Sequence, residues 1–121
     1  MALRALRGAT RVEVDERDAV IEATAELLRA VLERNAVSTD DLISIVFTTT
    51  PDLVSEFPAV AARTIGLTDV PLLCASEIAV PHSMPRVVRL MAFVEADFAR
   101  ADAQHVYLRG ASALRADLFG S

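Results

Sequence analysis

LISIVFTT, residues Leu42–Thr49, is the stretch whose reading decides the fold. It is rich in β-branched residues and bounded by turn signals, the pattern of a buried strand. Immediately before it, Ser38–Asp41 has the spacing of a capping box around a single helical turn. Further upstream, Val20, Thr24, Leu27, Leu28 and Val31 recur at helical spacing. Asp15 can cap that helix, with Asp18 three residues on, and Asn35 is a plausible left-handed stop. Leu3–Val14 alternates and carries Val12 and Val14, so it reads as a first strand. A helix joining two strands makes LISIVFTT run parallel to the first. Downstream, TTTPDL (Thr48–Leu53) is a polar loop, Pro58 fits the first turn of a second helix, and Gly66 is its stop. Val70–Ala75 is a short apolar strand, Val80–Pro85 a loop, Arg86–Glu95 a long strand and His105–Arg109 a short one. The order βαβαββ predicts an α+β single domain over residues 1–121, a mixed sheet with helices on one face. Residues 110–121 read as a partly mobile tail. The other sheet face needs a cover, which points to an oligomer.

Composition sets further limits. The chain has 121 residues, 53% of them hydrophobic, which is high for so small a domain. Part of that apolar surface is expected to face another subunit. A net charge of −5 disfavours wholesale binding to nucleic acid or an anionic membrane. No apolar run has the length of a membrane span, and MALRALRGAT lacks the apolar region of a signal peptide, so a cytoplasmic protein is expected. Cys74 is the single cysteine, so no internal disulfide and no multi-cysteine zinc site can form. Every basic side chain is arginine, which removes lysine-based Schiff-base chemistry, a pyridoxal phosphate anchor and a P-loop lysine. No GxGxxG or GxSxG occurs, and His82 and His105 match no metal spacing. No cofactor and no metal are expected. The chemistry open to such a chain is positioning and electrostatics.

Arg89 is the most unusual residue. It lies in VVRLMAFV, where alternation groups it with Val87, Met91 and Phe93. A guanidinium keeps its proton and is costly to bury without an anion. It serves either a structural ion pair, or a strand end where it snorkels, or an anion-binding pocket. Glu77 follows an apolar strand and is placed to line a pocket, although a solvated carboxylate is the commoner case. Cys74 is more often an inert buried residue than a nucleophile, and Tyr107 suits a core aromatic with a wet hydroxyl. Arg7, Arg63 and Arg115 would each, alone, be surface charges. As a set, several arginines, one carboxylate and one tyrosine near element ends suit a small polyanionic ligand.

Six collinear blocks give that set a context. RGAT (Arg7–Thr10), TPDL with FPA (Thr50–Leu53, Phe57–Ala59), AAR (Ala61–Arg63), VPLLCASE (Val70–Glu77), RVVRLM (Arg86–Met91) and HVYLRGA..LR.DL (His105–Leu118) closely resemble the AroH-class monofunctional chorismate mutases. The resemblance implies a homotrimer around a pseudo α/β-barrel with three active sites at subunit interfaces. It implies that Arg7, Arg89 and Tyr107 anchor substrate and that Glu77 and Cys74 lie beside the ring hydroxyl. It further implies that Leu73, Phe57 and Ala59 form wall positions, with Phe57 and Ala59 from a neighbouring chain. Arg63 falls near the entrance, and Leu114 and Arg115 in a tail that closes over the site. Val60 stands where some members carry lysine, and Ser76 and Ile78 replace a commoner Gln and Met.

The implied reaction is the pericyclic [3,3] rearrangement of chorismate to prephenate, on the route to phenylalanine and tyrosine. It requires a flexible side chain held over a ring and stabilisation of charge at the breaking ether bond, with no nucleophile. Two other readings stay open at this point. One is an imine deaminase of the RidA type, a similarly built trimer; the other is a non-catalytic trimer that binds a small carboxylate.

Overall fold

The structure, a computed structural model, describes residues 1–115, with Arg115 described by its backbone alone. The strands are β1 (Ala2–Arg11), β2 (Leu42–Thr49), β3 (Leu72–Ser76), β4 (Val87–Ala96) and β5 (Val106–Leu108), and the helices are α1 (Arg17–Arg34) and α2 (Ala59–Thr64). Short 3-10 turns occupy Thr39–Asp41, Arg100–Asp102 and Ala111–Arg115. All five strands read from the sequence form, and with the short last one, which pairs beside β1, the order is βαβαβββ. Of the proposed tail, Leu118 and its neighbours at 116–121 lie outside the described residues.

The five strands form one mixed sheet in the order β3-β2-β4-β1-β5. β4 is antiparallel to both β1 and β2, so β1 and β2 point the same way, as a helical crossover demands, but are not neighbours. β3 pairs parallel to β2 and β5 parallel to β1. Both helices cover one face. Against them lie Leu6, Ile45, Phe47, Val88, Leu90, Ala92 and Val94, all buried, and α1 adds Val20, Ala23, Leu27, Leu28 and Val31. The opposite face carries the intervening residues, among them Arg7, Val46, Thr48, Leu73, Arg89, Met91 and Phe93. No element of the described chain covers its centre.

Two local expectations change. Helix α1 begins at Arg17 after Glu16, without a side-chain cap. Asp15 instead turns away from the helix, and its carboxylate accepts hydrogen bonds from the Val54 and Ser55 amides at 3.1 Å. At the other end Asn35 keeps φ at −102°, and it is Ala36, at φ 51°, that turns left-handed. The reason is that the Asn35 side chain is in use. Its amide donates to Val31 O (2.8 Å) and Gln104 O (2.9 Å), and its Oδ1 accepts from Gln104 N (2.8 Å). The capping box at Ser38 and Asp41 forms as the spacing predicts.

The sheet and α1 meet most closely at Gly8. A Cβ there would stand 3.0 Å from Val31 Cγ2 and 3.1 Å from Leu27 Cδ1. Glycine at this point of β1 therefore sets the depth at which the helix seats. Gly8→Ala should lower stability by about 1–3 kcal/mol, the usual effect of overpacking a filled core, seen as an earlier urea midpoint. An unchanged midpoint would mean that α1 is not seated against β1 as described.

Candidate active site

On the uncovered face the strands bring distant charges together. β1 places Arg7 opposite Met91 and Ala9 opposite Arg89, while β2 places Thr48 opposite Arg89. β5 sets Tyr107 beside Ala9. The result is a hollow of about 370 Å³ whose walls include Arg7, Val46, Thr48, Arg89, Met91, Phe93 and Tyr107. That volume suits a small organic ligand. Its floor is apolar and its polar groups are few, so each hydrogen bond made there orients what is bound.

Glu77 stands at the rim. Its backbone N–H donates to Thr49 O (2.8 Å), which continues the β3 ladder one residue beyond the strand. Its Oε2 accepts from the Thr48 hydroxyl at 2.7 Å and lies 3.3 Å from Arg89 Nε. The carboxylate is mostly buried, and a threonine and an arginine fix its orientation. Of the readings open for Arg89, an anion partner is found within one chain, in Glu77, but without burial of the charge. Its side chain is 45% exposed, because neither helix lies on this face of the sheet. An ion pair this exposed adds little stability; what it supplies is direction. With Nε turned to Glu77, the planar guanidinium is held in one orientation.

The remaining predicted positions gather elsewhere. Cys74 pairs with Phe47 and so projects to the helix side of the sheet, opposite in sense to Glu77. It lines a second hollow of about 300 Å³ at the β3 edge with Phe57, Ser76 and the 53–58 loop. Phe57 is 68% exposed at that rim, whereas Ala59 is buried at the start of α2. Leu73, beside Val46 on the open face, is exposed. Arg63 lies on the last turn of α2, along a separate shallow hollow with Leu67, Thr68, Val70 and Leu72. Leu114 is half-buried in the turn Ala111–Arg115, and the side chain of Arg115 lies outside the described residues. One chain therefore unites Arg7, Arg89, Tyr107 and Glu77, and leaves Cys74, Phe57, Ala59 and Arg63 apart from them.

Two contributors were not singled out from the sequence. Thr48, read only as a strand edge or turn, is the donor that orients Glu77. Strand alternation contained the signal, since Thr48 and Val46 share a face. Alternation also separates Cys74 from Glu77, three residues apart. Asp15, read as a helix cap, tethers the loop that carries Phe57. No set of three His, Cys, Asp or Glu side chains among the described residues is arranged to hold a metal. No described helix is long and apolar enough to cross a membrane.

Known proteins share this arrangement of sequence and fold. Residues 3–118 match the family described as chorismate mutase type I. The chorismate mutase AroH of Thermus thermophilus is 49% identical over 117 residues, covering 96% of each chain. That of Bacillus subtilis strain 168 is 35% identical over 119 residues, covering 98% of this chain and 94% of the other. A solved chorismate mutase structure from Clostridium thermocellum superposes with a TM-score of 0.89 at 44% identity, over 90% of this chain and 97% of that one.

The tether of the Phe57 loop is open to a direct test. A hydrogen bond with Ser55's side chain, opposed by desolvation and reinforced by the Val54 and Ser55 amides, holds the Asp15 carboxyl below its ordinary range. A depressed carboxyl makes its contribution above the unfolded value, about 3.9, and loses it as pH falls through the lower folded value. The amide proton shifts of Val54 and Ser55 should therefore be constant above about pH 4 and move together below it. Asp15→Ala should abolish that titration and loosen the loop. Amide shifts in the variant that still follow the native titration would exclude Asp15 as the tether.

Proposed function

Because the chain belongs to the chorismate mutase type I family, we propose that it converts chorismate to prephenate at a site built around Arg89, Glu77, Arg7 and Tyr107. The observation that carries the assignment of roles is the fixed trio of Thr48, Glu77 and Arg89 beside an apolar hollow that also presents Arg7 and Tyr107. The reaction breaks the ether C–O bond and forms a C–C bond in one concerted step, so electrons and atoms balance within the substrate. The hollow holds the enolpyruvyl chain over the ring, which converts a rare conformer into the bound one. Arg7 and Tyr107 hold the side-chain carboxylate. Arg89 donates to the ether oxygen as negative charge gathers there, and Glu77 accepts from the ring hydroxyl and faces the ring's developing positive character. Interactions strengthened only in the transition state raise kcat.

The quaternary part of the proposal is a homotrimer with interfacial sites in the cytoplasm. Leu3, Leu73 and Met91 on the uncovered sheet face, with Phe57 and Val54 at the β3 edge, are exposed apolar groups of the kind an obligate interface buries. In the trimer Phe57 and Ala59 of a neighbouring subunit complete the first hollow, with Leu73 as a further wall position and Cys74 beside the ring hydroxyl. Arg63 then lies near the entrance, and Leu114 and Arg115 close over the bound substrate.

The test of the activity is loss of chorismate absorbance with purified protein and identification of the product. Arg89→citrulline, made by semisynthesis, keeps shape and donors but removes the charge. Its kcat should fall by roughly a hundredfold or more, equivalent to about 3 kcal/mol, with a modest change in KM; a near-normal kcat would make Arg89 structural. For the assembly, an inactive Arg89 variant mixed and refolded with an inactive Phe57 variant should recover part of the activity, since mixed trimers contain intact sites. A fully active monomer in sedimentation would rule the interfacial site out.

A further inference from the structure

Arg7 is held in place by an imidazole. The parallel ladder between β1 and β5 covers Gly8–Thr10 against Val106–Leu108 and stops there. One residue earlier, the Arg7 backbone N–H would be left without a carbonyl. It donates instead to Nδ1 of His105, at 3.0 Å. The imidazole sits half-buried in a hollow of about 430 Å³ on the outer side of Arg7. Its backbone position is fixed from behind, because the preceding residue, Gln104, is clamped at both its N–H and its carbonyl by Asn35 at the end of α1.

An imidazole nitrogen accepts a hydrogen bond only when it carries no proton, so this contact exists only with His105 neutral and its proton on Nε2. A second proton would set Nδ1–H against the Arg7 N–H, two donors face to face. Around the hollow, β1 presents Arg4 and Arg7, the Arg100–Asp102 turn presents Arg100, and β4 presents only Met91 and Phe93. Among the described residues that line this hollow, the charged groups are these guanidiniums, and a positive neighbour favours the neutral ring. We propose that His105 is a positioning residue for Arg7 and makes substrate capture proton-sensitive: the neutral ring fixes the β1 backbone from which the anchor arginine projects, and the imidazolium releases it. This rests on the reading of Arg7 as a substrate anchor.

The effect belongs on KM. Arg7 is assigned to the carboxylate that is held equally before and during the reaction, whereas Arg89 acts at the bond that breaks. Losing one hydrogen bond of this kind corresponds to about a five- to tenfold change. As pH falls and the imidazole takes up a second proton, KM should rise by that factor while kcat changes little. His105→Ala should show the raised KM at every pH. His105→Asn places an acceptor oxygen near the position of Nδ1 and does not titrate, so it should restore most of what alanine loses and remove the acid limb.

The structural half of the proposal is read without activity. In the 15N-labelled protein the Arg7 amide proton should shift as the imidazole titrates, and should not in His105→Asn. An Arg7 amide that ignores that titration overturns the proposal whatever the kinetics show, as does an acid limb that persists unchanged in His105→Asn. Arg7→Ala separates the two layers. If its KM is normal, the assignment of Arg7 as substrate anchor fails; if its KM rises and that of His105→Ala does not, the role of His105 alone fails.

Discussion

The pairing of β4 on both its edges is the constraint from which the rest of the molecule follows. Along one edge it binds β1 over the whole of that strand, and along the other it binds β2 from Thr49 back to Leu42. β4 is antiparallel to both neighbours and follows both in the chain, arriving from the 77–86 connection. Its register decides which side chains meet. Arg89 falls between Ala9 and Thr48 because β4 is in that register and no other. A slip of one residue would turn Val88 and Leu90 outward and bury the guanidinium against α1.

Much of this was legible in the sequence, and the parts that were not share a cause. The stripe on α1, the capping box at Ser38 and the strand at Leu42–Thr49 depend on local periodicity, and all three are found where periodicity puts them. The insertion of β4 between β1 and β2 leaves no local trace, since apolar alternation says which face a residue takes and nothing about which strand lies alongside. Asp15 shows the same limit. Its position suits a helix cap, but its partners lie in the 54–55 segment, and a tertiary contact displaced the local one. For the site, the residue types and their order pointed to the charged set. The division of that set between two hollows follows from strand parity at Cys74 and Glu77 and from the absence of a helix over Arg89.

A sheet with one face packed and one face open divides its labour. The packed face carries the stability of the chain, with α1 fitted to Gly8 at van der Waals limits. The open face carries the proposed site, and its polar groups are held by one another: Thr48 orients Glu77, Glu77 pairs with Arg89, and the backbone N–H of Arg7 donates to His105. The charged positions of the candidate site are therefore oriented by contacts within one chain. Preorganised donors and acceptors need little rearrangement when charge develops, which is the condition for electrostatic catalysis.

The doubly engaged amide of Asn35 makes one position sensitive to chemical ageing. Asparagine side chains hydrolyse slowly to carboxylates, and proteins from hot environments carry fewer of them. At Asn35 that change exchanges a donor for an acceptor opposite the carbonyl oxygens of Val31 and Gln104, so two attractions become two repulsions. The damage would begin outside the lining of the hollow. It would nevertheless travel through Gln104 to the next residue in the chain, and from there to the strand that carries Arg7. A change in the charge of this one side chain would thus reach the candidate site through the backbone of Gln104 and the imidazole of His105.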